Sequence, residues 1–583
     1  MQRRNIMKTF LGSLYHVFDM ANHTHIIWCV VILLVMLMLA VLHHFWKNNV
    51  GKIRIWRFLC LLPLLIALVH FLLYVQGEPM LISVFLLLYV IALLPLLLIP
   101  FAKRKIGYRV VSVLTGVVSA AAGFYFCATS PNVFNFTRMS YTESFHALAE
   151  KMDETYVLRD WKGKDLAALE EIYMPLVEEA EKEQDPAKFC DAVKLFCNEL
   201  HDGHIYVAAN YDTEAYPSQL RQREYGLSMV QLDQGDVIAV CTLEEVQKLG
   251  ITDGTVITHW NGKPIEQALQ EDLPDQGFPV KANADRMGAM YLAGVGGDTV
   301  DVTFLDASGE ERIVTLSDLG EIRTFPEALL AYTRMPVLAT DEDIEAFLAK
   351  NFSIRMLDDR CGYLVLNMEA TDSDLQDILA YLKGDHTWAR EMFREKLRDL
   401  KAQGMEYLVV DLRNNVGGMD EVCCALVSLL TEEDWFAQGL GIRRDGEYIC
   451  VSEHFVLGDG EFADLQVAAL TNCNCASAGD GASLYLSRLP NVTLMGITDP
   501  NGCNQETGGM CMLSDNLVSV SYPVGLIMDE SGSPNIDTDH TRTSRNPVEV
   551  RIPFDYDAAM RMFCENEDYE LAWAVDYLEA LVQ

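Results

Sequence analysis

The stretch Tyr407–Gly418, YLVVDLRNNVGG, sets the frame for the rest of the chain. A short, nearly continuous apolar run ends in Asp411 and Arg413, and two glycines close the segment. Such a run suits a buried strand. Paired glycines let the backbone approach a ligand closely and turn N–H groups inward. That arrangement suits an oxyanion hole, whose donors face a developing negative charge. A phosphate loop would need a following GK[ST], which is absent.

The neighbouring sequence supports an α/β core. GYLVLNM is a candidate buried strand, WAREMFREKLRDLKAQG a charged helix, and LQVAALTN the next strand. PNVTLMGIT, LVSVSYPVGLI and VEVRIP add strands, and DYELAWAVDYLEALV predicts a closing helix. After LQVAALTN comes TNCNCASAGDGASLY, Thr471–Tyr485. It sets Ser477 between two alanines at the start of a small-residue helix. Serine there is either a helix cap or a nucleophile that needs a base. The amide of Ser477 or Ala478 would sit in the positive potential of a helix N-terminus.

Upstream, residues 140–200 carry apolar residues at three- and four-residue steps and predict helices. They end in LHDGHIYVAAN, where an Asp202-Gly203 turn meets a short strand. Residues 224–317 change to short strands with an Asn-Gly turn and a hairpin. Their order resembles a PDZ domain, with Tyr225, Gly226, Leu227 and Ser228 in the place of the carboxylate-binding loop. Such a domain adds a peptide C-terminus to its sheet edge.

Charge divides the chain. Residues 1–130 hold 11 Lys+Arg and 2 Asp+Glu, a net of +9, so the rest carries −38 − 9 = −47. The acidic body excludes nucleic acid as an expected partner. The basic end contains four apolar runs, roughly residues 26–46, 56–75, 80–101 and 108–128. Each is close to the ~20 residues a membrane-crossing helix needs, so a lipid bilayer is an expected partner. Lys47, Lys52, Arg54 and Arg57 in one loop and Lys103, Arg104, Lys105 and Arg109 in another predict a cytoplasmic side. Residues from 129 onward are then expected outside, although Arg3, Arg4 and Lys8 dissent. Of 15 cysteines, 12 lie beyond the apolar end. No CxxC pair finds a matching second pair, so no zinc site and no cofactor is expected.

DLRNNVGG followed by an ASAGD-type serine resembles the C-terminal processing peptidases, the tail-specific and tricorn-core serine peptidases. The resemblance covers about residues 140–583 and implies a crotonase-like or ClpP-like α/β core. It implies Ser477 as nucleophile, with oxyanion donors from the Gly417-Gly418 turn and Ala478. One branch of that family takes its base from a lysine downstream of the serine. Here no lysine follows Lys401. The tricorn-like branch uses a histidine in a Leu-x-Asp-x-His motif, which LHDGHIYV matches, making His204 the candidate base and His201 its rival. That pattern also has a serine before the histidine, where this chain has Gly203. Asp537, Asp539 and Glu506 are then candidates for an acidic partner, and Asp202 for stabilising the turn.

The expected organisation is a four-helix transmembrane region (1–130), a helical cap (131–222), a PDZ-like insert (223–318) and an α/β peptidase core (319–583). The expected function is a multi-pass membrane-anchored serine endopeptidase, Ser-His rather than Ser-Lys, acting on extracytoplasmic peptides or unfolded proteins. The alternatives are an inactive peptidase-like peptide receptor and a crotonase-type acyl enzyme. The latter would need a coenzyme A site, for which no basic cluster speaks.

Overall fold

Tyr407–Asp411 is a strand with all five residues buried, as its apolar run demands. The computed structural model describes residues 6–20, 23–46, 48–59, 62, 65, 66, 69, 132–335 and 351–582. The strand lies inside a six-stranded sheet ordered Val550–Arg551, Val492–Gly496, Gln466–Leu470, Tyr407–Asp411, Cys361–Leu366, Phe352–Met356. The first five run parallel, and the last pairs antiparallel at the edge. Asp411 sits opposite Leu470 on one side and Val365 on the other. Three strands therefore end level, and the loops that follow them share one rim. In open α/β sheets that rim is where sites form.

Helices cover both faces. Thr387–Gln403 sets Phe393, Leu397 and Leu400 on one stripe at three- and four-residue steps, and it stops at Gly404 with φ 111°. With Asp420–Leu429 and Ala478–Ser487 it fills one side through Val422, Leu426 and Leu486. The other face meets Tyr569–Val582 through Ala574 and Leu578, and Lys281–Leu292 through Met287 and Met290.

The expected run of core strands splits in the structure. Val518–Met528 leaves the parallel sheet and joins a second one with Trp435–Arg444, Glu447–Val456, Glu506–Met512, Asn132–Asn135 and Tyr206–Ala209. The early part of Val518–Met528 alternates buried with half-buried residues, the mark of an antiparallel strand with one wetter face. Tyr206–Ala209 pairs with it, Tyr206 opposite Ser521. That pairing ties the helical cap to the rest of the fold just after His204. The cap helices have well-formed starts. Ser140 and Glu143 form a capping box, and Asp185 caps Pro186–Asn198 with proline in its first turn.

Residues 228–317 form a two-stranded sheet, Ser228–Gln231 with Val237–Val240, and a four-stranded sheet ending in the hairpin Thr299–Leu305 and Glu311–Ser317. Trp260, Tyr225, Ile251 and Phe304 fill its core.

The helix Ile6–Met20 packs on the second sheet, with Val17 against Tyr381, Leu382, Leu440 and Ile527. Gly12 permits the approach, since a Cβ there would lie 2.1 Å from the Val451 carbonyl oxygen. His16 is buried between the Gly441 carbonyl (2.8 Å) and Glu506 (2.9 Å). Burial pulls its pKa down, but the Glu506 charge and the two hydrogen bonds outweigh that, and the net direction is up.

Among the described residues no helix is long and apolar enough to cross a membrane. The apolar run 26–46 falls within the helix His23–Trp46, many of whose side chains lie outside the description. The run 56–75 lies largely outside the described residues, and 80–101 and 108–128 lie wholly outside them. The expected four-helix membrane region therefore has no support in the structure. The 12 cysteines from Cys190 to Cys564 are all free thiols.

Candidate active site

Ser477 stands between the strand Gln466–Leu470 and the helix Ala478–Ser487. Its backbone sits at φ 60°, ψ −133°, a region that non-glycine residues occupy only under strain. Its side chain makes no capping hydrogen bond. The capping alternative thus has no bond to rest on. Ser477 N–H donates to the Cys503 carbonyl at 2.9 Å, which fixes the turn. The residue is half-buried, so its hydroxyl stays within reach of a substrate.

Gly417 lies directly over it. A Cβ at Gly417 would be 2.4 Å from Ser477 Cβ and 2.9 Å from its Oγ. With φ 91° as well, the position admits glycine alone without a shift of the serine. The Gly417 amide is already used, donating to Asn415 Oδ1 at 2.8 Å. The amides of Gly418 and Ala478 make no hydrogen bond among the described residues. Of the expected oxyanion donors, Gly418 and Ala478 are thus unspent and Gly417 is not.

The turn has supports that the sequence reading missed. Glu369 N–H donates to the Gly417 carbonyl (3.1 Å) and Met419 N–H to the Glu369 carbonyl (2.7 Å). The Glu369 side chain accepts from Asn415 Nδ2 at 2.7 Å. Burial pushes its pKa up to about 8, against that hydrogen bond. Its other carboxyl oxygen is buried without a partner. The available signal was a carboxylate just past the end of the strand next to Tyr407–Asp411. Behind the turn, Arg413 is buried among Asp411 (2.6 Å), Asp568 (2.7 Å) and Glu570 (3.3 Å). The closing helix thereby ties down the loop that follows Asp411.

His204 N–H donates to Asp202 Oδ1 at 2.9 Å, and Asp202 Oδ2 accepts from Tyr156 OH at 2.8 Å. Asp202 stabilises the turn. The His204 ring is half-buried and its Nδ1 is fully buried without a hydrogen-bond partner. Burial holds the ring pKa below its ordinary value, with the Asp202 charge acting against it. A neutral ring is the form a general base needs. The rival His201 is engaged elsewhere, Nε2 to Asp275 Oδ2 at 2.6 Å.

The His204 loop and Ser477 meet at one segment. A Cβ at Gly203 would lie 2.0 Å from Asn501 Oδ1 and 2.7 Å from Cys503 Sγ. Cys503 is the residue whose carbonyl holds Ser477. The candidate acids go elsewhere. Glu506 takes His16 and Tyr381 (2.7 Å), and Asp539 takes Thr541. Asp537 Oδ2 accepts from Gln505 (2.6 Å) and Asn504 (3.2 Å). Burial and Asp202 push its pKa up to about 7.

Tyr225, Gly226, Leu227 and Ser228 are all buried. Gly226 N–H donates to Glu224 Oε1 at 2.7 Å. Glu224 is itself buried and also accepts from Arg323 N–H (2.6 Å), Thr324 N–H (2.8 Å) and Thr324 Oγ1 (3.0 Å). The turn that would receive a peptide carboxylate already holds one from its own chain.

Residues 362–540 match the sequence model of peptidase family S41. They take in the central strands of the parallel sheet, the Gly417 and Ser477 loops and the Asp537 region, and they leave out His204. A tricorn protease homolog of Streptomyces coelicolor is 27% identical over 269 residues, covering 44% of this chain and 18% of the relative. The chain thus spans less than a fifth of that relative's length. Among solved structures, mature CPAF is 13% identical with a TM-score of 0.48, covering 73% of this chain and 95% of that one. The tricorn protease is 14% identical with a TM-score of 0.33, covering 76% and 37%.

Proposed function

We propose that this chain is a serine endopeptidase of the S41 type, in which Ser477 is the nucleophile and His204 its general base. The observation that carries this reading is the strained, uncapped Ser477 beneath Gly417, beside the unspent amides of Gly418 and Ala478. The S41 match over the same loops supports it. In this reading neutral His204 takes the Ser477 proton as Oγ attacks a peptide carbonyl. The Gly418 and Ala478 amides receive the developing oxyanion. The imidazolium gives its proton to the leaving amine, and water repeats the sequence on the acyl-enzyme. Ser477 Oγ and the ring are not hydrogen-bonded in the free protein, and such bonds often tighten only with substrate.

Ser477→Ala should abolish cleavage of an unfolded protein and labelling by a fluorophosphonate, while thermal unfolding stays close to wild type. Cleavage retained by that variant sinks the assignment.

The finer parts of the reading are a cap at 131–222, a PDZ-like insert at 223–318 whose Gly226 turn is occupied by Glu224 of its own chain, and a core at 319–583. Four crossings would hold the catalytic part outside the cytoplasm. One feature favours an even number of crossings: Ile6–Met20 precedes the apolar runs and packs on a sheet that follows them, so both flanks share a compartment. Tags at the two ends should respond identically to protease added outside intact cells; opposite responses overturn this topology. A peptide receptor is the second reading, favoured by the missing partner of His204 Nδ1. Fluorophosphonate labelling dependent on Ser477 excludes it.

A further inference from the structure

Two buried, unpartnered polar atoms flank Gly203. One is His204 Nδ1; the other is Asn501 Oδ1. We propose that Asn501 is the positioning residue for His204, its carboxamide oxygen accepting the Nδ1–H so that Nε2 is left as the basic nitrogen toward Ser477. The proposal rests on the reading of His204 as the base.

Asn501 is held in one orientation. Its backbone N–H donates to the Cys475 carbonyl and its Nδ2 to the Cys473 carbonyl, both at 2.9 Å. The nitrogen of the carboxamide is therefore committed to the loop before Ser477, and the oxygen is turned to the base loop. There it occupies the place a side chain at position 203 would take, 2.0 Å from where that Cβ would be. Glycine at 203 is what lets the carboxamide reach this position beside the base. With Asn501 anchored at two points, rotation of the imidazole is the motion that completes the pair.

Other acceptors have partners of their own. Both Asp202 oxygens are used, by His204 N–H and by Tyr156. Glu506 and Asp539 have their own partners. Asp537 Oδ1 is unpartnered, but Asp537 is held through Oδ2 by Gln505 and Asn504, and the charge acting on the His204 ring is that of Asp202. A neutral acceptor has a consequence. It fixes the tautomer without adding a negative charge, so the ring keeps the low basicity that burial gives it.

The test uses the full chain, with kcat and KM for an unfolded protein substrate measured against pH. Asn501→Ala should lower kcat about 100-fold with KM little changed. Asn501→Asp keeps the acceptor and adds a charge. It should recover most of kcat at its own optimum and move the acidic limb of kcat/KM up by about one pH unit. A merely structural role would not move that limb. A folded Asn501→Ala with wild-type kcat overturns the proposal. If Asn501→Ala does not fold, the Asn501→Asp limb decides alone, and a limb that stays in place overturns it. Full activity in His204→Ala would instead remove the base assignment beneath the proposal. Inactive Ser477→Ala and His204→Ala beside indifferent Asn501 variants would remove the proposal alone.

Discussion

Two glycine turns in this chain look alike in sequence, and the structure treats them in opposite ways. At Gly417-Gly418 the backbone turns over Ser477, and the Gly418 and Ala478 amides are left without partners among the described residues. At Gly226 the amide faces a carboxylate, but the carboxylate is Glu224 of the same loop, bound also by Arg323 and Thr324. Both turns use positive φ to aim an N–H inward. What separates them is occupancy. One keeps donors in reserve, which suits a charge that exists only during reaction. The other uses its donor to hold the insert to residues 323–324. An anion-ready turn in sequence is therefore a statement about geometry, and only the tertiary structure says whether the seat is taken.

Filling the first seat should have the largest effect. Gly417→Val puts carbon against Ser477 and the Ala478 amide, at φ 91°. We expect kcat/KM to fall about 10³-fold, near 4 kcal/mol of barrier, measured on an unfolded protein substrate. Gly226→Ala is the control. Its Cβ would meet Val246 at 2.6 Å with φ 82°, so stability should drop by about 1–2 kcal/mol while kcat of the folded fraction stays unchanged. A matching loss of kcat at Gly226 would break the contrast between the turns.

Emptying the second seat is the next test. Glu224→Ala strands the amides of Gly226, Arg323 and Thr324 in a buried site. At about 1–3 kcal/mol for an unsatisfied buried donor, partly relieved by water, a loss of about 2–3 kcal/mol is expected in denaturant unfolding. Millimolar acetate should recover part of it by refilling the seat. Wild-type stability in Glu224→Ala would show that the carboxylate does not hold this loop.

Much of the site was legible because it depends on local sequence. The buried strand, the paired glycines and the serine before a small-residue helix declare themselves through period and composition. The turn that carries His204 was legible, and Asp202 holds that turn as expected. What was not legible lies in hydrogen bonds across long separations. Glu224 reaches Thr324, 100 residues away, and the alternation of elements gave no sign that Val518–Met528 leaves the parallel sheet. Asn501 reads as an ordinary loop residue, and its claim on His204 arises only because Gly203 lets it in. The membrane expectation is a different case, since most of the sequence that carries it lies outside the described residues.

The smallest effect separates the glutamates behind the two turns. Glu224 accepts from four donors, whereas Glu369 accepts one side-chain hydrogen bond and leaves an oxygen bare. Burial raises Glu369 to about 8. A carboxyl that ionises in the unfolded chain near its ordinary value, but stays protonated when folded, costs stability as pH climbs from about 4.5 toward 8. Glu369→Gln removes that dependence and keeps an acceptor for Asn415. The variant should match wild type near pH 5 and become progressively more stable than it as pH rises toward 8, read from urea unfolding at the two pH values. Its kcat should be close to wild type below pH 7 and should hold up better above pH 8, where ionisation of Glu369 would disturb the turn over Ser477. A difference between variant and wild type that does not grow with pH would mean that Glu369 is already ionised in the fold, and the two turns would then be backed by the same kind of group.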